Sequence, residues 1–277
     1  MTRGETLKNA RRFAFITTAV SLVVVLGYAF LFGPLFAWSA IKPGYDELSF
    51  QRSTVYLPAR TGQPTSYSAS DQWMDQIERF VQLKFQRRVK IIVCGTWSDC
   101  HRFMPLIRGE GLGGMTPEFG TVIYVTPKVK QMNLDAGEYV RHELTHAVIL
   151  QNSGWRNRFR LKVTPWLFEG LPVLAANQKS YGTQADFIAR AKSQDLWPLF
   201  EPSPVRRQYP DMRFAYRAWR YFLEWLIETQ GRSKFQRFLT LCIAEPDSVD
   251  QNFRLVYDQD LKSGVLEFQR HVYNEGQ

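Results

Sequence analysis

The sequence predicts an α+β domain that is preceded by a single transmembrane helix. Two observations predict this class. Residues 13–38 form a run of 26 residues without a charge, which is long enough to cross a bilayer. Beyond it, strand-like patterns come first and helical periodicity dominates from residue 134 onward, an order typical of α+β domains. With 45% hydrophobic and 22% charged residues, the composition is that of a globular protein and not of a disordered chain.

The apolar run decides the expected compartment. Four basic residues against one acidic residue give residues 1–12 a net charge of +3, and such clusters stay in the cytoplasm. We therefore expect a single-pass inner (cytoplasmic) membrane protein whose catalytic part is periplasmic or extracytoplasmic. A cleaved signal peptide is the alternative, because Ala37 and Ser39 are small residues at a usable spacing. Both interpretations export the remainder of the chain.

The predicted organisation has four parts. A cytoplasmic basic tail spans 1–12, a transmembrane anchor 13–38, a polar linker 39–70 and the main domain 71–277. Ser53–Leu57 within the linker has the character of a short strand.

The domain itself is expected to begin with a helix. Asp71 is placed as its N-cap, and apolar residues continue on one face as far as Phe85. Strands are predicted at 88–94 and 121–126, and the glycine-rich segment 108–114 between them is interpreted as a flexible loop. The further predicted helices are 134–151, 166–177, 184–193, 213–230 (with Gly231 as C-cap), 234–243 and 261–272.

The cysteines fit an exported domain. Cys94 and Cys100 lie six residues apart and are spaced to close a small disulfide loop, whereas Cys242 sits among apolar residues and is expected to be a buried thiol. The spacing of these cysteines does not match a zinc-binding pair. The formal charge of +9 is interpreted as a basic surface, because no nucleic-acid-binding module accompanies it, and we expect no nucleic-acid partner.

The segment His142-Glu143-Leu144-Thr145-His146 carries the predicted chemistry. Residues four apart lie on one face of a helix, one turn apart, so both imidazoles can reach one zinc ion. Glu143 is angled off that face, where it can act as general base on the metal-activated water.

A catalytic zinc needs a third protein ligand. A three-histidine motif is excluded because Ile149 and Asn152 occupy its later positions. His101, His271 and several carboxylates remain, and the best candidate is Glu169, which follows His146 by 23 residues at the start of a second helix.

The motif helix followed by Trp166-Leu167-Phe168-Glu169-Gly170 resembles the gluzincin metallopeptidases, most closely the bacterial peptidase MA-like group related to thermolysin and the M1 aminopeptidases. The resemblance covers roughly residues 88–240. It implies a zincin-like domain, a small mixed sheet followed by helices, with Zn²⁺ held by His142, His146 and Glu169 and with Glu143 as base. It also implies that the strand at 121–126 borders the cleft and pairs with an extended peptide or protein substrate.

Several members of that class use a tyrosine or histidine to stabilise the oxyanion. Tyr216 is our candidate here, with Tyr221 and Tyr181 as rivals. The sequence departs from thermolysin at Val173, where thermolysin has an aspartate. The partner of a zinc-binding histidine must therefore come from elsewhere or be a backbone carbonyl.

The predicted function is a membrane-anchored zinc-dependent peptidase. The alternative is a non-catalytic, membrane-tethered zincin-fold module for binding or assembly. A structural zinc has four protein ligands, whereas a catalytic zinc keeps one position for water. The sequence sets neither the cleavage specificity, nor endo- against exopeptidase action, nor the oligomeric state.

Overall fold

The computed structural model describes residues 3–59, 67–105, 111–117, 119–157, 164–201 and 209–274, and the side chains of residues from 12 onward within them. The strands are β1 Tyr45–Ser49, β2 Ser53–Pro58, β3 Val89–Val93, β4 Gly114–Met115 and β5 Val122–Val125. The helices are α1 Arg3–Phe32, α2 Ser70–Val81, α3 Trp97–Phe103, α4 Pro127–Gln131, α5 Ala136–Asn152, α6 Pro165–Phe168, α7 Gly170–Ala175, α8 Gln184–Ala191, α9 Trp197–Phe200, α10 Met212–Gln230, α11 Arg232–Ala244, α12 Val249–Tyr257 and α13 Leu261–Asn274. The α+β prediction is confirmed.

The strands of the described residues form one mixed sheet in the order β1-β2-β3-β5-β4. β2, β3 and β5 run parallel, and β1 and β4 pair antiparallel at the two edges. The segment 39–70, expected to be a linker, thus supplies β1 and β2. Val55 and Leu57 of β2 are buried, which explains why this part of the chain folds onto the sheet. Residues 60–66 of that segment lie outside the described residues.

Successive side chains of the central strands point to opposite faces of the sheet. Ile91 and Ile123 face the large core that the helices build, which includes buried residues of α2 and α5. Ile92 and Tyr124 face a second, smaller cluster that contains Phe36. Because both faces are covered, these strands read as nearly continuous apolar runs in the sequence, with Lys90 of β3 as a charged exception.

The expectation that strand 121–126 is the exposed edge is wrong. β4 pairs with β5 through Gly114 opposite Val125 and Met115 opposite Tyr124, so β4 is the edge strand. The glycine-rich segment 108–114 was interpreted as a loop because glycine is a poor strand former. In the structure its last residue starts β4, whereas residues 108–110 lie outside the described residues.

Two features predicted for the first helix of the domain need correction. Asp71 is not the N-cap of α2 but lies in its first turn, where its carboxylate accepts hydrogen bonds from the Arg52 amide (3.0 Å) and the Ser53 hydroxyl (2.6 Å). The helix also ends before Phe85, because Gln82 adopts a left-handed conformation with φ 55°.

The helix predicted at 166–177 is interrupted at Glu169, which separates α6 from α7. The C-cap predicted at Gly231 is present, with φ 88°. The helices α3, α4, α9 and α12 were not predicted, and α3 begins within the expected disulfide loop and continues past Cys100 to Phe103. The structure joins Cys94 and Cys100 in a disulfide and buries Cys242 as a free thiol.

Among the described residues, one helix is long and apolar enough to span a membrane, from Arg12 to Phe32 of α1. It ends before the predicted limit of residue 38, at Gly33 and Pro34. A short 3₁₀ turn follows at Phe36–Trp38, and its first two residues are buried against the sheet.

Candidate metal centre

Helix α5 carries the motif and lies beside the sheet. Asp135 caps it by accepting a hydrogen bond from the Gly137 amide at 2.8 Å, which satisfies one of the unpaired first-turn donors. His142 is buried and His146 partly buried, one turn further along the same face. Their Nε2 atoms lie 3.2 Å apart, so the two imidazoles converge on one point as the spacing predicted.

Glu169 completes the group from the break between α6 and α7. Its Oε2 lies 3.7 Å from Nε2 of His142 and 3.6 Å from Nε2 of His146. The next residue, Gly170, lets α7 approach α10 closely, because a Cβ atom there would lie 2.7 Å from Cβ of Trp219. This close packing of α7 on α10 positions Glu169 opposite the two histidines.

The three donors suit zinc. Their ligand atoms all lie within 4.8 Å of one another. Tetrahedral ligands at 2.0–2.1 Å from zinc are about 3.3 Å apart, close to the separations found here. Burial by itself would raise the pKa of Glu169. The charges of His146 and His142 and their hydrogen bonds outweigh it and hold the pKa well below its usual range, so the carboxylate is ionised.

Gln178 is a site residue that the sequence analysis missed. Its side-chain oxygen lies 3.0 Å from Nδ1 of His142 and accepts a hydrogen bond when Nδ1 carries the proton. That tautomer leaves the Nε2 lone pair free to bind a metal. This amide takes the place for which the sequence offered no acidic residue. A glutamine just after a helix belongs to no motif, so no signal in the sequence could have identified it.

Arg220 of α10 holds the turn that presents Gln178. Its guanidinium donates to the backbone oxygen of Gln178 at 3.0 Å and to the side-chain oxygen of Asn177 at 2.9 Å. Asn177 adopts a left-handed conformation with φ 47°, which turns the chain back toward α5. The position of Gln178 is therefore set both by Arg220 of α10 and by the turn at Asn177.

The predicted base, Glu143, is buried between α5 and β4. Thr116 donates to its Oε2 at 2.7 Å and to its backbone oxygen at 3.0 Å, which orients the carboxylate. A Cβ atom at Gly114 would lie 2.8 Å from Oε1 and Cγ of Glu143. The same tight approach occurs one residue earlier, where a Cβ at Gly113 would lie 2.0 Å from the Tyr139 ring. The glycines are thus required by close packing.

The structure separates the three candidate tyrosines. Tyr216 donates to Oε2 of Glu169 at 3.2 Å, and the ring of Tyr181 stacks on it at a centroid distance of 4.8 Å. Tyr221 instead packs against Phe187, away from this group. Burial, followed by the charge of Glu169, raises the pKa of Tyr216, so its hydroxyl stays protonated and can donate.

The remaining histidines lie elsewhere. His101 packs near Trp97 in α3 and His271 near Trp225, and neither belongs to the candidate metal-binding group found among the described residues. Of the possible third ligands, the structure brings Glu169 to the motif.

Comparisons with known proteins give a remote likeness. No protein-family model matches the chain, and no curated protein matches it. Among solved structures, the M1 zinc metallopeptidase of Deinococcus radiodurans matches with 14% identity and a TM-score of 0.42, over 82% of this chain and 50% of that one. A variant of that enzyme bound to a Tyr-Ser-Ala substrate matches with 14% identity and a TM-score of 0.44, over 81% of this chain and 50% of that one. The chain therefore spans about half the length of these metallopeptidases.

Proposed function

We propose that the chain is a membrane-anchored, zinc-dependent peptidase that hydrolyses peptide bonds with Glu143 as general base. The observation that carries the proposal is the convergence of His142, His146 and Glu169 on one point beside a buried glutamate. Zinc, when bound there, supplies Lewis acidity toward the scissile carbonyl and lowers the pKa of the attacking water.

The protein's own residues supply the proton transfers. Glu143 accepts the proton of the attacking water and later delivers it to the leaving amine, and Thr116 orients its carboxylate by donating to Oε2. Tyr216 keeps its proton, and during the reaction its hydroxyl would shift this hydrogen bond from Glu169 to the oxygen that gains negative charge. Gln178 keeps His142 in the tautomer that a ligand needs.

The edge strand β4 offers a surface for the substrate. Its inner edge pairs with β5, and its first residue, Gly114, lies directly beside Glu143. An extended peptide that adds to the outer edge would place its backbone next to the base. This assigns to β4 the role that the sequence analysis gave to strand 121–126.

The non-catalytic alternative requires a closed metal site. A structural zinc is usually bound by four protein ligands. The donor group found among the described residues has three, which favours a site that keeps one position for water.

Two measurements on the full-length chain in detergent test the proposal. Metal analysis is expected to give about one zinc per chain, and His142→Ala, His146→Ala and Glu169→Ala are each expected to lower zinc affinity strongly. Incubation with a peptide library is expected to give zinc-dependent cleavage products. Tight zinc binding without cleavage of any library peptide would favour the non-catalytic module instead.

A further inference from the structure

The connection between the apolar helix and the sheet is folded into the domain. Phe36 and Ala37 are 1% and 0% exposed. The ring of Phe36 stacks on Phe103 of α3 at a centroid distance of 4.2 Å and lies 5.1 Å from the ring of Tyr45 at the start of β1. The chain that leaves α1 therefore enters the smaller core cluster within four residues of the helix end.

Two lysines fix the backbone of this connection. Lys90 of β3 donates to the backbone oxygen of Ala37 at 2.8 Å. Lys42 donates to the backbone oxygens of Phe36 at 3.0 Å and Ser39 at 2.6 Å. Burial and the nearby charge of Lys90 lower the pKa of Lys42 to about 8. The connection thus has both apolar and polar contacts to the sheet.

The same cluster reaches the edge strand beside the metal centre. Met115 of β4 packs against the cluster that contains Phe36. Its neighbours Gly114 and Thr116 approach Glu143 on the other side. Because successive strand residues face opposite ways, the connection from α1 and the candidate base lie on opposite faces of one edge strand.

The folded connection limits how far the domain can reach. A flexible linker of the length expected for residues 39–70 would add a mean reach of roughly 30 Å to the diameter of the domain. Packed strands add no such reach. Every part of the domain would therefore stay within about one domain diameter, roughly 45 Å, of the point where α1 leaves the bilayer.

We propose that α1 is joined rigidly to the domain through its packed connection, as a rigid mount, and not through a flexible linker. The substrates would then be extended polypeptide segments held close to the bilayer surface, next to a membrane anchor of their own. This inference rests on the proposed peptidase function and membrane insertion, and it names the class of substrate for that site.

The matched variant is an insertion of 20 Gly/Ser residues between Phe32 and Gly33. It leaves the packing of Phe36, the two lysines and the metal centre unchanged, but adds a mean reach of roughly 25 Å. Both proteins are reconstituted in liposomes as full-length chains.

The first readout is independent of activity. A dye on Leu255→Cys, exposed on α12, donates to an acceptor lipid, and Cys242 is buried and does not compete for the dye. The rigid mount predicts a narrow donor-lifetime distribution for the uninserted chain and a broader one, at longer distance, for the insertion. Equal widths in the two proteins would overturn the rigid mount.

The second readout is cleavage of two probes in the same liposomes. Each carries one unstructured casein segment on a transmembrane helix, either directly or beyond a helical spacer of about 40 residues, which places it about 60 Å away. We expect the uninserted chain to cleave the near probe at least about 10-fold faster, and the insertion to reduce this ratio to below about 3.

Equal cleavage of both probes by the uninserted chain would overturn the proposed substrate class while leaving the peptidase function intact. Failure to cleave either probe, or casein in detergent, would overturn the peptidase function and the substrate class together. The lifetime measurement would still decide on the rigid mount.

Discussion

His142 Nδ1 lies 3.0 Å from the side-chain oxygen of Gln178, and this hydrogen bond sets which nitrogen of the ring is free for a metal. An amide is a weaker acceptor than the carboxylate often found in this position beside zinc-binding histidines. The contact nevertheless fixes both the tautomer and the ring orientation, because Gln178 is itself held by Arg220.

The first prediction concerns that contact. Gln178→Leu is expected to weaken zinc binding about 10- to 100-fold, since the ring loses its orienting acceptor. Gln178→Glu keeps an acceptor and is expected to retain or tighten binding. Competition with a chromogenic chelator measures both, with the exposed Gln184→Leu on α8 as control. Unchanged zinc affinity in Gln178→Leu would show that the contact has no positioning role.

The second prediction concerns the close approach of β4 to the base. Gly114→Ala places a methyl group 2.8 Å from Glu143 and is expected to displace its carboxylate, lowering kcat about 100-fold with zinc still bound. Gly111→Ala is the matched control, because a Cβ there meets nothing within 4 Å. Equal activity of the two variants would argue that Glu143 is not the base.

The third prediction separates the stacked tyrosines. Tyr216→Phe removes the hydroxyl that reaches Glu169 and is expected to lower kcat about 100- to 1000-fold with little change in KM. Tyr181→Phe keeps the ring stacking and is expected to have a much smaller effect. If Tyr181→Phe has the larger effect on kcat, the oxyanion role belongs to Tyr181.

The fourth prediction tests the folded connection after α1. Phe36→Ala is expected to destabilise the domain by about 3–5 kcal/mol, because it leaves a cavity against Phe103 and Tyr45. Thermal unfolding of the full-length chain in detergent measures this loss. Phe30→Ala, on the partly exposed face of α1, is the control and is expected to change the domain's unfolding little.

The fifth prediction is a dependence of stability on pH through Glu78. Burial raises the pKa of this carboxyl, but hydrogen bonds from Lys84 (2.8 Å) and the Phe85 amide (2.9 Å), with the guanidinium of Arg52, outweigh it and lower the pKa overall. The resulting stability is present above the unfolded-state pKa and is lost as the pH falls through the folded-state pKa.

Glu78→Gln is therefore expected to lower the free energy of unfolding by about 1–3 kcal/mol at pH 7, and by less in acid. Denaturant unfolding at several pH values measures the difference between variant and wild type. If the difference in the free energy of unfolding grows toward low pH, the stabilising role assigned to the ionised Glu78 carboxylate is contradicted.

Much of the fold could be predicted from periodicity. The strand at 88–94 and the helix carrying the motif follow from patterns that local structure and burial impose together. The edge strand could not be predicted, because Gly114 and Met115 lack strand propensity and pair with β5 only in the folded protein. Within residues 39–70, the strand predicted at Ser53–Leu57 corresponds to β2, whereas β1 could not be predicted because it is polar and gains its partners from the sheet.

The proximity of the three candidate metal ligands was predictable because helical spacing places His142 and His146 together, and the structure brings Glu169 to them. Their roles in zinc binding and hydrolysis remain predictions. Gln178 and Thr116 could not be predicted, since each reaches the site through a tertiary contact that leaves no spacing pattern in the sequence.

The most direct test of the central claim is hydrolysis of casein by the full-length Glu143→Gln variant, with the zinc content measured in the same sample. The exposed Glu228→Gln on α10 is the control. Glu143→Gln is expected to keep about one zinc per chain and to lose hydrolysis, whereas the control keeps both. Casein cleavage by Glu143→Gln at the rate of the control would contradict the assignment of Glu143 as the base of a zinc peptidase.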